Sequence, residues 1–467
     1  MTRSRVWLLL IVCLAASEPV AAQSPPQAPP PQPLTLEQAI QYAADHYPTF
    51  RAAIEQVNAS SAGVDVARSA YLPRLDTLWQ SNRATANNIF GQLLPQSVIP
   101  AMSGPVLPST SSASVWGSAA GALFSWEPFD LGLRHAGVVS AEAAVTEARA
   151  GERLTRLDVQ NAVAEAYLAV AGAERAVTAA QADLDRRNVL LRSVQTLVTN
   201  QLRPGADASR AEAERAAAQT RLIAQQRTLI IAKATLARVL GSTSGEILVA
   251  AEPLARLPGG DIGAAAVTAH PLAQVRQASV DQARATQEVL ARTDLPRVFL
   301  ETSVFARGSG ASPNGILDGG ADGLGLDRTN WAAGVQVLFP NVFDFASLRA
   351  RKAAAAASER ATAALYDEAL LTITDQQQTA AALLQSSRAV AANTPVQLAA
   401  AQQSETQART RYDAGLATLV EVADAQSLLA QAELQDQLAR IDVWRALLAA
   451  AVAQGDLASF LTVLRQP

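Results

Sequence analysis

One cysteine and three histidines in 467 residues leave little from which to build covalent or metal chemistry. Cys13 is the only thiol, so no disulfide or cysteine metal site is available. His46, His135 and His270 stand far apart and read as structural. No Gly-x-Ser-x-Gly, His-Glu-x-x-His or phosphate-loop pattern occurs, so the reading calls for no catalytic residue, no metal and no cofactor. Charge of one sign is also missing. Lys and Arg total 38 against 42 Asp and Glu, with no basic block, which removes the electrostatic footprint of nucleic-acid binding. Long apolar runs are absent too: Val6 to Ala16 is shorter than the about 20 residues a spanning helix needs.

What is present begins with an export signal. Arg3 and Arg5, the apolar stretch and Val20-Ala21-Ala22 read as a leader over residues 1–22, which places Cys13 inside the removed segment. Residues 23–33 form a Pro/Gln tract, a tether that cannot build a core. Beyond it the chain is written twice. Leu72-Pro73-Arg74 recurs as Leu295-Pro296-Arg297, and Phe129-Asp130 as Phe343-Asp344, 223 and 214 residues on. Two landmarks in the same order imply a duplicated unit: residues 34–250 and 265–467, joined by a linker at 251–264.

Thr35 to Gln38 matches a capping box, so a helix starts there, restarts at Pro48 and stops at Pro73. Alternating segments follow at about 74–83 and 115–126, and again at about 297–306 and 329–340. Each has the length of a tilted strand crossing a bilayer. Residues 84–114 between the first two read as a long exposed loop. Val163, Val170, Val177, Leu184, Leu191 and Val198 then recur every seven residues, the seam of a supercoiled helix. Helices are expected at about 131–198 and 206–240, then at about 346–412 and 419–452. Pro395 is expected to bend or break the third of these.

Four membrane-length strands cannot close a barrel, and open sheet edges cannot face lipid, so several chains must share one. In this respect, and in Leu34-Thr35-Leu36-Glu37-Gln38-Ala39-Ile40, the doubled Leu-Pro-Arg and Phe-Asp, Arg411-Tyr412-Asp413-Ala414-Gly415 and Leu419 to Gln426, the chain resembles the TolC-family outer membrane efflux proteins, or outer membrane factors. The resemblance implies an α+β membrane protein of two repeats, each with two barrel strands and long antiparallel coiled-coil-like helices. It implies a homotrimer with a twelve-stranded barrel among outer membrane lipid and a helical periplasmic tunnel. It also implies a passive duct for efflux, multidrug efflux included, or type I secretion, working with a periplasmic adaptor and an inner-membrane transporter.

Glu421 and Asp424 lie three apart on one helix and share a face, which a threefold assembly turns into acidic rings; helix-dipole complementation is the plainer reading. The resemblance implies a periplasmic gate of Asp207, Tyr412, Glu421 and Asp424, with a Tyr412-to-carboxylate bond as latch. Ala417 stands near where relatives carry an arginine. It further implies adaptor contact at Leu202, Gly415 and Leu416. Trp126 and Phe339, at strand ends, fit the membrane-interface aromatics. A coiled-coil stalk or adhesin without a pore would explain the heptads and leave the paired strands unexplained.

Overall fold

The computed structural model describes residues 32–465 apart from 88–91, 102–105, 107–111, 243–246, 313–315, 318–320 and 341–343. The expected leader, with Cys13, and most of the tether lie outside the described residues, as does Phe343. Thr35 opens α1 (Leu36–His46) with a complete capping box, its hydroxyl accepting from the Gln38 amide and the Gln38 side chain accepting from the Thr35 amide. Pro48 begins α2 (Pro48–Ser69), where its missing N–H costs nothing.

Four antiparallel strands follow the order β1 (Arg74–Thr85), β2 (Ser114–Phe129), β3 (Arg297–Ser309) and β4 (Arg328–Leu338) in one sheet. The β2–β3 pairing joins the two halves of the chain, while β1 and β4 have no second neighbour among the described residues. The two Leu-Pro-Arg motifs differ in consequence. Arg297 grips Glu127 of β2 with two bonds of 2.6 and 2.7 Å, whereas Arg74, on the open edge, lies 3.8 Å from Asp76 and is largely exposed.

Two long helices leave the same end of the sheet: α3 (Leu133–Thr199), which returns as α4 (Gly205–Leu240), and α6 (Phe345–Asp413), which returns as α7 (Leu419–Ala453). At 1.5 Å per residue, the 67-residue α3 is about 100 Å long. Its start explains Phe-Asp. Leu131 and Gly132 both have positive φ, making a sharp reversal, and the buried Asp130 carboxylate accepts from the Gly132 and Arg134 amides and the Arg134 guanidinium. Burial pushes the Asp130 pKa up, and these bonds outweigh it, leaving the carboxyl below its usual range. Asp344 makes no equivalent cap bond.

Four of the six seam residues of α3 are buried, Val163 and Val170 fully enclosed, while Val177 and Val198 are partly buried. α5 (Pro271–Arg292) and α2 flank the first part of α3, and the main core lies where the middle of α3 meets α1, the ends of α4 and α7, and a short C-terminal helix, α8 (Ala458–Arg465). Trp444 is fully buried there, its indole N–H donating to the Arg256 carbonyl and its ring edge-on to Phe460.

Two expectations need correction. Pro395 does not break α6, which runs unbroken through it. One missing N–H leaves the bonds of the flanking turns intact, and the preceding Thr394 hydroxyl is bound to buried Asp436 at 3.0 Å. The segment between β1 and β2 is not simply an exposed loop either: Val98 and Ile99 are buried against the sheet. Among the described residues no helix is long and apolar enough to cross a membrane.

Candidate functional site

The expected gate residues lie at the far end of the long helices, on the turns α3–α4 and α6–α7. The two turns have one backbone form, 214 residues apart. Gln201 and Gly415 both take positive φ, 61° and 77°, and the next amide closes back five residues: Leu202 to the Leu197 carbonyl at 2.9 Å, Leu416 to Arg411 at 2.8 Å. These are Schellman-type endings, which favour glycine at the left-handed position. Gln201 occupies it at a steric cost.

Each return helix carries an acid at its third residue, and the two acids have different fates. Thr418 caps α7 and forms a capping box with Glu421, whose carboxylate accepts from the Thr418 amide at 3.1 Å. That bond, foremost, with the Thr418 hydroxyl and Arg411, holds Glu421 below the usual carboxylate range. The plainer reading of Glu421 as a helix-start acid is therefore realised in the single chain. Pro204 stands at the matching cap of α4 and has no N–H to offer, so no box can form. Asp207 is left half-buried, with no side-chain bond to a described residue. Asp424 is exposed and likewise unbonded among the described residues, on the same face as Glu421.

Tyr412 lies between the turns, 2 % exposed, packed with Leu190, Leu191, Val194, Ala211, Ala417, Leu419 and Val422. Its hydroxyl is buried without a partner, so the expected Tyr412-to-carboxylate bond is not made in this chain. The ring instead lies under Arg203, whose guanidinium is 4.5 Å from the ring centre and donates to the Tyr412 carbonyl at 3.0 Å. Burial raises the phenol's pKa; Arg203 pulls it down, and Asp207 and Asp413 add to the rise. No local pattern in the sequence marks Arg203. It supplies from the first turn the cation that Ala417, 7 % exposed inside the tip, cannot supply from the second. Leu202 and Leu416 are 68 % and 71 % exposed, apolar surface on both turns with Gly415 beside the second.

Above the tip, a buried ionic cluster ties three helices. Arg187, 1 % exposed, donates to Asp183 at 3.0 Å, Glu214 at 2.8 Å and Ser427 at 2.9 Å, while Arg221 reaches the other Asp183 oxygen at 2.8 Å. Arg186 forks onto Glu433 of α7. At the opposite end, Trp126 and Phe339 are exposed close to the ends of β2 and β4, Trp126 donating its indole N–H to the Tyr71 carbonyl. Among the described residues no group of three or more His, Cys, Asp or Glu could hold a metal ion.

A family model described as outer membrane efflux protein matches residues 39–242 and 264–455. No curated protein sequence matches significantly. Solved structures do. The outer membrane protein VceC from Vibrio cholerae aligns at TM-score 0.71 and 19% identity over 90% of this chain and 96% of that one. The CmeC outer membrane channel of Campylobacter jejuni aligns at 0.73 and 14% over 90% and 85%. The open state of the Neisseria gonorrhoeae MtrE outer membrane channel aligns at 0.70 and 18% over 90% and 89%. At these identities the likeness is one of fold.

Proposed function

This chain belongs to the outer membrane efflux protein family, a family of outer membrane channels rather than enzymes, and we propose that three copies form the exit duct of a tripartite efflux or type I secretion system. In this reading residues 34–250 and 265–467 are the two repeats. Their four strands supply one third of a twelve-stranded barrel, and the long helices line a tunnel across the periplasm. The carrying observation is the open sheet: among the described residues β1 and β4 present unpaired edges beside an apolar face, and neither edge can be left bare in lipid. Three chains offering β1 to a neighbour's β4 satisfy every edge.

The duct is passive. Asp207, Tyr412, Glu421 and Asp424 form its periplasmic gate, with Asp424 and Glu421 repeated threefold as rings that favour cations. Tyr412 acts here by packing under Arg203. Leu202, Gly415 and Leu416 offer the apolar tip surface on which a periplasmic adaptor docks, linking the duct to an inner-membrane transporter. Trp126 and Phe339 sit at the membrane interface.

Purified trimers in planar bilayers should conduct with a cation preference that falls in Asp424→Ala and further in Asp424→Ala with Glu421→Ala. Absence of any conductance in all three proteins would overturn the duct. Leu416→Glu should abolish export while leaving trimers in the outer membrane; normal export by that variant would remove the adaptor contact.

A further inference from the structure

The sheet has one apolar and one polar face. Leu75, Trp79, Val304, Trp331, Val335 and Val337 share the first and are exposed, as a lipid-facing surface requires. Asp76, Gln80, Asn82, Ser303 and Arg307 share the second by the alternation and register of the strands. On the reading proposed above, that second face lines the lumen. It is not bare.

Residues 92–101, from the segment joining β1 and β2, lie against it. Asn82, three residues from the far end of β1, donates to the Gln92 carbonyl at 2.7 Å. Gln96 then folds the segment on itself, its side-chain oxygen accepting from the Val98 and Ile99 amides at 2.6 and 2.7 Å while its nitrogen donates to the Ile99 carbonyl. Val98 and Ile99, 7 % and 3 % exposed, pack on Ala119 and Phe305, and the Ser303 hydroxyl donates to the Val98 carbonyl at 3.0 Å. Ser303 is the midpoint of the 13-residue β3. At about 3.3 Å per residue, six residues of strand put Val98 about 20 Å below the outer end of the sheet. Ala119, on the same face of β2, is small enough to let Val98 and Ile99 close onto the sheet, and Gly121 leaves the room that Phe305 beside them occupies.

We propose that residues 92–101 form an internal constriction of the barrel, seated halfway down its lumen by Ser303, Phe305 and Asn82, which limits the size of what passes. Three copies would converge on the axis, with Leu94 and Ser97, both exposed, facing the remaining passage. The channel then has a second narrow point, remote from the tip and built from side chains that gate opening does not touch.

The proposal is testable by thiol access, because Cys13, inside the expected leader, is the only native cysteine. Asp76→Cys places a thiol on the lumenal face, near the periplasmic end of β1 and below the constriction. Intact cells are treated from outside with maleimides carrying polyethylene glycol of graded size. Small reagents should label Asp76→Cys, and large ones only after residues 93–100 are replaced by a short Gly-Ser link. Ile99→Asp, which unseats the segment without shortening it, should show the same loss of the size limit and serves if the deletion fails to assemble. An unchanged size limit in an assembled variant would overturn the constriction while leaving the duct intact. No labelling by even the smallest reagent in any assembled variant would instead overturn the duct itself, and the constriction with it.

Discussion

The two turns at the helical end share a backbone and almost none of their chemistry. At the left-handed position one has Gln201 and the other Gly415; at the cap, Pro204 against Thr418; on the following helix, Asp207 against Glu421 and Arg210 against Asp424. Hydrogen-bond closure of the helix fixes the geometry and is indifferent to which side chains ride on it, so after a duplication the turns stay superimposable while their charges diverge. The same holds higher up. Arg187, in the buried ionic cluster, is matched 214 residues on by Ala401, buried in an apolar cluster with Leu429 and Ala432. At this level one repeat is locked by charge, the other by close packing.

The largest effect should come from the charged lock. Arg187→Ala leaves Asp183 buried with one of its two partners gone and should destabilise the protein by about 3–5 kcal/mol, read by denaturant unfolding of the assembled protein. A loss below about 1 kcal/mol would show that the two repeats are held alike despite their chemistry.

Next is the cap. Thr418→Ala removes the box at α7 and should cost about 1 kcal/mol, with no counterpart at Pro204, where Pro204→Ala removes no side-chain bond. Equal losses at both caps would erase the distinction drawn between Glu421 and Asp207.

Tyr412→Phe deletes a buried hydroxyl that has no partner, so stability should hold or rise by about 1 kcal/mol, with conductance unchanged. A phenol-to-carboxylate latch gives the opposite result, an opened pore. Smallest is Gln201→Gly, which relieves a positive φ and gains at most about 1 kcal/mol, partly offset by the freedom glycine adds to the unfolded chain; a loss there would mean that the two turns are not equivalent.

A pH test addresses a third pair, His46 and His270. His270 caps α5, accepting from the Leu272 amide while its other ring nitrogen faces the Val452 carbonyl at 3.1 Å, an arrangement that needs the neutral ring. Burial lowers its pKa, against the pull of the Val452 carbonyl and Asp158. The unfolded chain therefore takes up the proton first, and stability should fall as pH drops through about 6.5 toward the folded value. His270→Gln should flatten that slope, and an unaltered slope would assign the loss elsewhere.

Much of this was legible from local signals. Alternation, paired prolines and a seven-residue seam each depend on near neighbours, so four strands and two pairs of long helices could be read from order alone. What escaped depends on distant company. Arg203 is one arginine in a turn until Tyr412, 209 residues later, comes to lie beneath it. Composition marks residues 92–101 as loop and says nothing of Ser303, 205 residues from Val98, which seats them. In the second long helix Leu384, Ala391 and Leu398 are spaced by seven and Glu405 comes next, yet it is 9 % exposed and accepts from the buried Gln426 at 3.4 Å. Asp207, Glu421 and Asp424 were legible as tip acids, and the division between a capped Glu421 and an Asp207 with no side-chain bond to a described residue turns on whether a neighbour possesses an N–H.

The bare edges of β1 and β4 impose an order on biogenesis. A lone copy in the periplasm carries two hydrogen-bonding templates and an apolar flank, the makings of an aggregate. It cannot escape by entering lipid, since its edges would go in unsatisfied. On the proposed trimeric duct, partnership therefore comes before insertion, and a newly made chain is expected to need its edges shielded until then.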